Sequence, residues 1–418
     1  MIRSLVPARR SSRAVATKAR IREWLARSWH FDPHAARRAL PELKDAPGKG
    51  HLPLISGEGV ECGRERSGHR RGRVIVMHVA HRLLSEGYTV TGLDNCNPYY
   101  DPRLKTARIA ELAAFPNFAF KQLDIADRKT MSDLFATERF SYVVHLAAQA
   151  GVRHSLNEPH AYVDANLVGF LNVLEGCRHS QCRHLHASSS SVYGANRHMP
   201  FRTSDNVDHP LNLYGATKKA NELMAHAYAH LFALPATGLR FFTVYGPWGR
   251  PDMAIWLFVD AIMHDRPIKL FNNGQMGQDF TYIDDVVEAV ARLVVRPPEA
   301  NPAWTAEAPD PATSQAPWRV YNIGNSKSVE VEQVVRLIEQ ILGKSAIREL
   351  LPMRPGNVLE TYADVSALCE AVGSSPRSWL GRPQAGVALL QQLSQQNGFA
   401  QEMISALEER AIWSRYGL

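Results

Sequence analysis

Residues 142–194 read YVVHLAAQAGVRHSLNEPHAYVDANLVGFLNVLEGCRHSQCRHLHASSSSVYG. The start, YVVHLAAQ (142–149), is a continuous apolar run that breaks into small residues. The middle, YVDANLVGFLNVLEGCRH (162–179), is a long helical segment. The end, HLHASSSSVYG (184–194), is a second strand running into a hydroxyl-rich loop. Strand, helix and strand in this order, with strands apolar on both faces, define a parallel unit covered by helices. Ligands bind beyond the carboxyl ends of such strands. Both AAQAG and SSSSVYG therefore fall on the expected ligand edge.

The alternation extends both ways. Upstream lie a helix in MHVAHRLLSEG (77–87), stopped by Gly87, and a strand in YTVTGLDN (88–95). LKTARIAELAAF (104–115) is a helix, FAFKQLDIAD (118–127) a strand and TMSDLFATE (130–138) a helix. Downstream come LYGATKKANELMAHAYAHLF (213–232), a helix, and ATGLRFFTVYG (236–246), a strand. The expected fold is α/β, a Rossmann-like doubly wound parallel sheet over 74–246. A smaller C-terminal α/β substrate-binding domain is expected over 247–375, interleaved with the last sheet elements. PPEANPAWTAEAPDPATSQAPW (297–318) reads as a surface loop. Residues 376–418 form a divergent tail ending in an amphipathic stretch.

Composition narrows the class. The 418 residues are 45% hydrophobic and 21% charged, as in soluble globular proteins. No apolar run approaches about 18 residues, so no membrane helix is expected. The five cysteines are scattered, without zinc-ligand spacing, so neither a metal site nor a disulfide framework is expected. This fits the reducing cytoplasm. The net charge of +7 is uneven: residues 1–73 hold 14 Arg and 3 Lys against 7 acids, a net +10, leaving −3 elsewhere. A targeting segment or nucleic-acid arm is one reading of that basic stretch. Its seven acids and lack of periodicity favour an extension outside the domain, so no nucleic-acid partner is expected.

Four features carry chemistry. Tyr214 and Lys218, in YGATK, stand at i and i+4 on one helix face. An ammonium there lowers the phenol pKa and makes Tyr214 a usable general base. Such a pair alone also describes two ordinary surface residues. In ASSSSVYG (187–194) a hydroxyl could share a substrate proton with Tyr214, or satisfy a turn. Asp94, with Asn95 beside it, ends one strand and can hold the ribose of NAD. Asp124 and Ile125 end the next and can grip adenine. Leu146, Ala147 and Ala148 leave room for close approach of a dinucleotide.

Together these stretches resemble the extended short-chain dehydrogenase/reductase family, and within it the nucleotide-sugar epimerases of the UDP-glucuronate 4-epimerase group. GLDNCNPYYDPRLK, GLRFFTVYGPWGRPDM, DFTYIDD, YNIGN and LPMRPGNVLET extend the likeness from about Met77 to Val372. The resemblance implies bound NAD, a UDP-sugar substrate and 4-epimerisation through a transient 4-keto sugar. UDP-glucuronate and UDP-galacturonate would be the interconverted pair, in nucleotide-sugar supply for polysaccharide. It implies that Tyr214 removes the O4 proton, Ser189 hydrogen-bonds the same oxygen, and Lys218 holds the nicotinamide ribose. Ser190, Thr243, Arg250 and Arg354 would hold the substrate. Arg250 pairs with the glucuronate carboxylate in this reading, because a guanidinium matches a carboxylate as a fork, and a domain-interface salt bridge is the equal alternative. A homodimer is also implied. Related dehydratases and decarboxylases carry an acid just before V-Y-G; here Ser190 and Ser191 stand there, which favours simple epimerisation.

One element departs from the pattern. The family's phosphate loop, T-G-x-x-G-x-x-G, falls by register on residues 69–76, HRRGRVIV, with Gly72 out of place. Codons that encode His69–Val74, read one base later, can encode Thr-Gly-Ala-Ala-Gly. Residues 1–73 therefore read as a basic extension, disordered or out of frame, with the first strand and glycine loop degraded. The competing functional expectations are an epimerase-like protein inactive for want of that loop, or another nucleotide-sugar 4-epimerase or dehydratase. Gln278 and Asn357 also stand where relatives carry Arg and Asp.

Overall fold

A computed structural model describes residues 51–55, 74–96, 102–152, 154–249, 252–353 and 358–376. The chain divides into two units, Met1–Gly48 and Lys49–Leu418, and the first lies wholly outside the described residues. The second is built on a seven-stranded sheet. Its strands are β1 (His51–Ile55), β2 (Thr89–Asp94), β3 (Phe118–Gln122), β4 (Tyr142–His145), β5 (Arg183–Ser189), β6 (Ala236–Phe241) and β10 (Trp318–Ile323). Their order is β10-β6-β5-β4-β1-β2-β3, and every pairing is parallel. The order reverses between β1 and β4, the switch point where doubly wound sheets bind ligands.

β1 changes the reading of the N-terminal stretch. Residues 51–55, placed by sequence in the extension, supply an interior strand, between β4 and β2. HLPLI is too short to stand out, and no glycine loop in register follows it. It pairs with β2 over all five residues, but with β4 only at Leu54 and Ile55. Pro53 has no N–H to offer a second ladder, which limits that side. Val74–Val76, counted into the loop by register, instead open helix α1 (Val74–Ser85), with Val74 and Val76 buried in the core. Gly87, at φ 86°, turns the chain out of that helix into β2. The loop positions 69–73 lie outside the described residues.

Helices cover both faces. Along β4, Val143 and Val144 point to opposite apolar clusters, as the two-residue period requires. On one face lie α1, α7 (Ile283–Val294) and α9 (Ser366–Val372). On the other lie α3 (Arg128–Thr137), α4 (Gly169–Ser180) and α5 (Leu213–Phe232). α2 (Pro102–Ala113) joins β2 to β3. The contact of α3 with α4 is close: a Cβ on Gly176 would sit 2.3 Å from Phe135 Cδ2. Gly176→Ala is therefore expected to destabilise the fold by about 1–3 kcal/mol through overpacking. Urea denaturation measures it, and an unchanged midpoint would refute the packing argument.

A third cluster belongs to the C-terminal region. It joins α6 (Ala254–Met263) and α8 (Val331–Leu342) to β8 (Pro267–Phe271) and β9 (Gly277–Tyr282). β9 pairs with β7 (Thr243–Tyr245) and β11 (Ser328–Glu330), while β8 pairs with β12 (Ile347–Leu351). β10 returns from this region to the edge of the large sheet. Of the surface loop expected over 297–318, residues 297–317 form no helix or strand, but Trp318 opens β10, and Ala312, Ala316 and Trp318 are buried in the core.

Candidate active site

The carboxyl ends of β2 to β6 converge on one edge. Asp94 ends β2, is 2% exposed, and its Oδ1 accepts from Cys96 N at 2.5 Å. Asn95 Nδ2 donates to Asp124 Oδ2 at 2.9 Å, tying the ends of β2 and β3 together. Asp124 Oδ1 also accepts from Ala126 N at 2.8 Å. Burial pushes the Asp124 carboxyl up, against those hydrogen bonds. Ile125 is buried against Gly169 of α4, where a Cβ would lie 2.6 Å from Ile125 Cγ1. A small open cleft adjoins Asp94, lined by Met77, Gly92, Lys105, Arg108 and Phe120. Arg108 Nη2 reaches from it to Trp248 O at 2.5 Å.

Leu146, Ala147 and Ala148 follow β4. One side chain holds the backbone just beyond them. Asn166 accepts from Gln149 N at 2.8 Å and donates to Gln149 O at 2.9 Å and Thr217 Oγ1 at 3.0 Å. It lies in a wide π-turn, Asp164–Val168, that precedes α4. Such turns recur at functional sites. Gln149 Nε2 is buried and has no hydrogen-bond partner among the described residues. A buried donor left unmatched is costly, so the edge beside Ala147 and Ala148 suits a polar ligand. A strand-end acid, a small-residue turn and this orphaned donor together fit a dinucleotide such as NAD.

The catalytic candidates meet at β5 and α5. Asn212 caps α5, its Oδ1 accepting from Gly215 N at 2.8 Å. Gly215 lets the helix touch the serine turn: a Cβ there would be 2.6 Å from Ser191 O. Ser189 ends β5, and its Oγ accepts from Ser191 N at 3.1 Å, starting the 3₁₀ turn Ser190–Tyr193. Gly194, at φ 52°, closes that turn, where a Cβ would strike His209 O at 2.0 Å. Lys218 is 2% exposed and donates from Nζ to Ala187 O at 2.8 Å. Burial lowers its ammonium to about 7, with the nearby Glu222 carboxylate opposing the shift. The Tyr214 ring meets Tyr162 edge-on at 6.2 Å, and Tyr162 OH donates to Gly151 O at 2.5 Å. Ser189, Tyr214 and Lys218 thus share one small region. A phenol with an ammonium one helix turn away suits proton exchange at neutral pH, because the positive charge, while held, favours the phenolate.

Of the expected substrate residues, Ser190 opens the serine turn and Thr243 opens β7. Thr243 Oγ1 lies 3.5 Å from Gln278 Oε1, which also accepts from Thr361 Oγ1 at 3.2 Å. Gln278 is thereby held by two threonines. Arg250 and Arg354 lie outside the described residues. Asn166, Gln149, Glu222 and Arg240 escape the motif reading. For Glu222 a signal exists: it continues the series Tyr214, Lys218 at the same four-residue step.

Next to Gln278, Asp279 joins three segments. It is fully buried and accepts from Asn325 N (2.7 Å), Ser326 N (3.1 Å), Ala363 N (3.1 Å) and Thr281 Oγ1 (3.0 Å). Burial nevertheless pushes its carboxyl up to about 6 from 3.8. Between those values the folded protein holds a proton that the unfolded chain releases. This term's contribution is therefore full below about pH 4 and falls as pH rises towards 6. Asp279→Asn is expected to remove that decline from a plot of Tm against pH. Identical slopes for parent and variant would contradict it.

The parallel sheet with its switch point between β1 and β4 defines a Rossmann-type nucleotide-binding fold. Residues 74–307 match the model of the NAD dependent epimerase/dehydratase family, and the chain belongs to that family. It is 50% identical over 302 residues to protein CapI of Staphylococcus aureus, covering 72% of this chain and 90% of CapI. UDP-glucuronate 4-epimerase 4 of Arabidopsis thaliana is 44% identical over 306 residues, covering 72% of this chain and 68% of that protein. The crystal structure of UDP-glucuronic acid 4-epimerase from Bacillus cereus, in complex with UDP-glucuronic acid and NAD, superposes with a TM-score of 0.67. It is 29% identical and covers 82% of this chain and 99% of its own.

Proposed function

We propose that this protein interconverts UDP-glucuronate and UDP-galacturonate by epimerisation at C4, with NAD held on the sheet edge. One observation carries the reading: Lys218 is buried against Ala187 O on the helix that bears Tyr214, directly beside the Ser189 turn. The relatives named for UDP-glucuronate 4-epimerisation support the choice of sugar. When bound, NAD would supply a reversible hydride acceptor for C4, so net redox is zero.

Asp94 and Asn95 would hold the adenosine ribose, with Asp124 and Ile125 at the adenine and Leu146, Ala147 and Ala148 along the dinucleotide. Lys218 would hold the nicotinamide ribose and keep the Tyr214 phenol acidic. Tyr214 takes the O4 proton and later gives it back, while Ser189 steadies the same oxygen. Ser190 and Thr243 would line the sugar pocket. Arg250 would pair with the carboxylate, and Arg354 with the phosphates. With Ser190 and Ser191 before Val192-Tyr193, no carboxylate stands in the turn to drive elimination or decarboxylation.

Incubation of the purified chain with UDP-glucuronate, with and without added NAD, tests the reading. UDP-galacturonate is the expected product; no product under either condition would overturn it. A homodimer through a helical face is part of the same reading. Val163, Leu223 and Leu231 leave apolar surface exposed near and along α5. Sedimentation at micromolar concentration distinguishes dimer from monomer. No described helix is long and apolar enough to cross a membrane, and the cysteines described are free thiols; a cytoplasmic site of action fits these features.

A further inference from the structure

We infer that Glu222 and Arg240 form a buried positioning unit that fixes the Ser189 turn against the Tyr214 helix. The inference rests on the reading above, in which Ser189 and Tyr214 address one substrate oxygen. Glu222 lies on α5, one helical turn beyond Lys218 and two beyond Tyr214. It is 3% exposed and pairs with Arg240 of β6, itself fully buried. The pair is a fork: Arg240 Nε and Nη2 each donate to a different Glu222 oxygen at 2.9 Å.

Each partner also holds one end of the serine turn. Ser188 Oγ, immediately before Ser189, donates to Glu222 Oε1 at 2.6 Å. Arg240 Nη1 donates to Tyr193 OH, the last residue of the turn, at 3.1 Å. Tyr193 OH passes the chain on to Asn322 Oδ1 at 2.7 Å. Asn322 Nδ2 donates to Phe201 O at 2.9 Å and Asp364 O at 3.1 Å. The Tyr193 ring stacks on Phe201 at 4.4 Å, nearly parallel. Residues 189–192 are therefore strung between two anchors, and both anchors end on one ion pair.

A buried ion pair is a poor way to gain stability, since apolar residues of similar volume often serve as well or better. Its forked geometry does give direction, which apolar packing lacks. Here the acid is on the helix that carries Tyr214, and the base is on the strand beside Ser189. The unit thus transmits the helix position to the turn. Glu222 and Arg240 are positioning residues, acting through Ser188 and Tyr193.

The test uses variants that cut one tie and leave both charges in place. Ser188→Ala and Tyr193→Phe are each expected to lower kcat about tenfold, as for loss of one good hydrogen bond. KM for UDP-glucuronate and the amount of bound NAD should stay as in the parent. Ser188→Thr, which keeps the hydroxyl, should restore kcat to within about twofold. Unchanged kcat in both variants would overturn the inference. So would a fall in kcat matched by loss of NAD and a raised KM, which marks a merely structural role. A parent chain that gives no product with UDP-glucuronate counts against the proposed function. The positioning role is then read without turnover, from a crystal structure of Ser188→Ala. A displaced Ser190–Tyr193 turn supports it, and an unmoved turn overturns it.

Discussion

Tyr214→Phe is expected to lower turnover of UDP-glucuronate by about 10²–10⁴-fold, the usual contribution of a positioned proton-transfer group. The change removes one oxygen and keeps the ring. The edge contact with Tyr162 at 6.2 Å therefore survives, and with it the first turn of α5. Lys218 keeps its bond to Ala187 O, which does not involve the phenol. Bound NAD, KM and thermal stability should consequently match the parent. Product formation followed over time, with NAD released by acid and measured separately, checks each part. Turnover within about threefold of the parent would remove Tyr214 from the role of base.

Arg240→Met is expected to cost about 3–5 kcal/mol of stability, because it strands a buried carboxylate. Burial favours the neutral Glu222 carboxyl, yet the Arg240 charge, with hydrogen bonds from Arg240 and Ser188, holds it below its ordinary range. Without Arg240, only the Ser188 hydrogen bond and the Lys219 ammonium, 3.9 Å away, oppose burial, and the folded state must either bear a poorly compensated charge or take up a proton. The double change Glu222→Leu with Arg240→Met removes both charges and should recover most of the loss. Urea denaturation of the single and double variants measures this. A single variant within about 1 kcal/mol of the parent would show that the pair is not desolvated as described. Recovered stability without recovered turnover in the double variant would fit the positioning role.

The motif-bearing helix was legible in detail. LYGATKKANELMAHAYAHLF coincides with α5 at both ends, since Asn212 supplies a cap and helical residues run without interruption to Phe232. The strands before Asp94 and Ser189 were legible because buried parallel strands are short apolar runs. β1 was not. Five residues with a proline at their centre resemble many loops, and only pairing with β2 along their whole length makes them a strand. The start of α1 was misread by three residues, because Val74, Ile75 and Val76 suit a helix as readily as a strand-to-helix loop.

Local pattern in this chain determined the alternating α/β order, the Tyr214–Lys218 step and the strand-end acids. These depend on neighbours in sequence, through helix and strand periodicity. Tertiary structure alone decided that His51–Ile55 lies inside the sheet between β4 and β2, that Asn166 holds Gln149, and that Glu222 meets Arg240 and Ser188. Those partners lie far apart in sequence and carry no shared period. What joins them is desolvation: a buried polar group must find a partner wherever the packed chain places one.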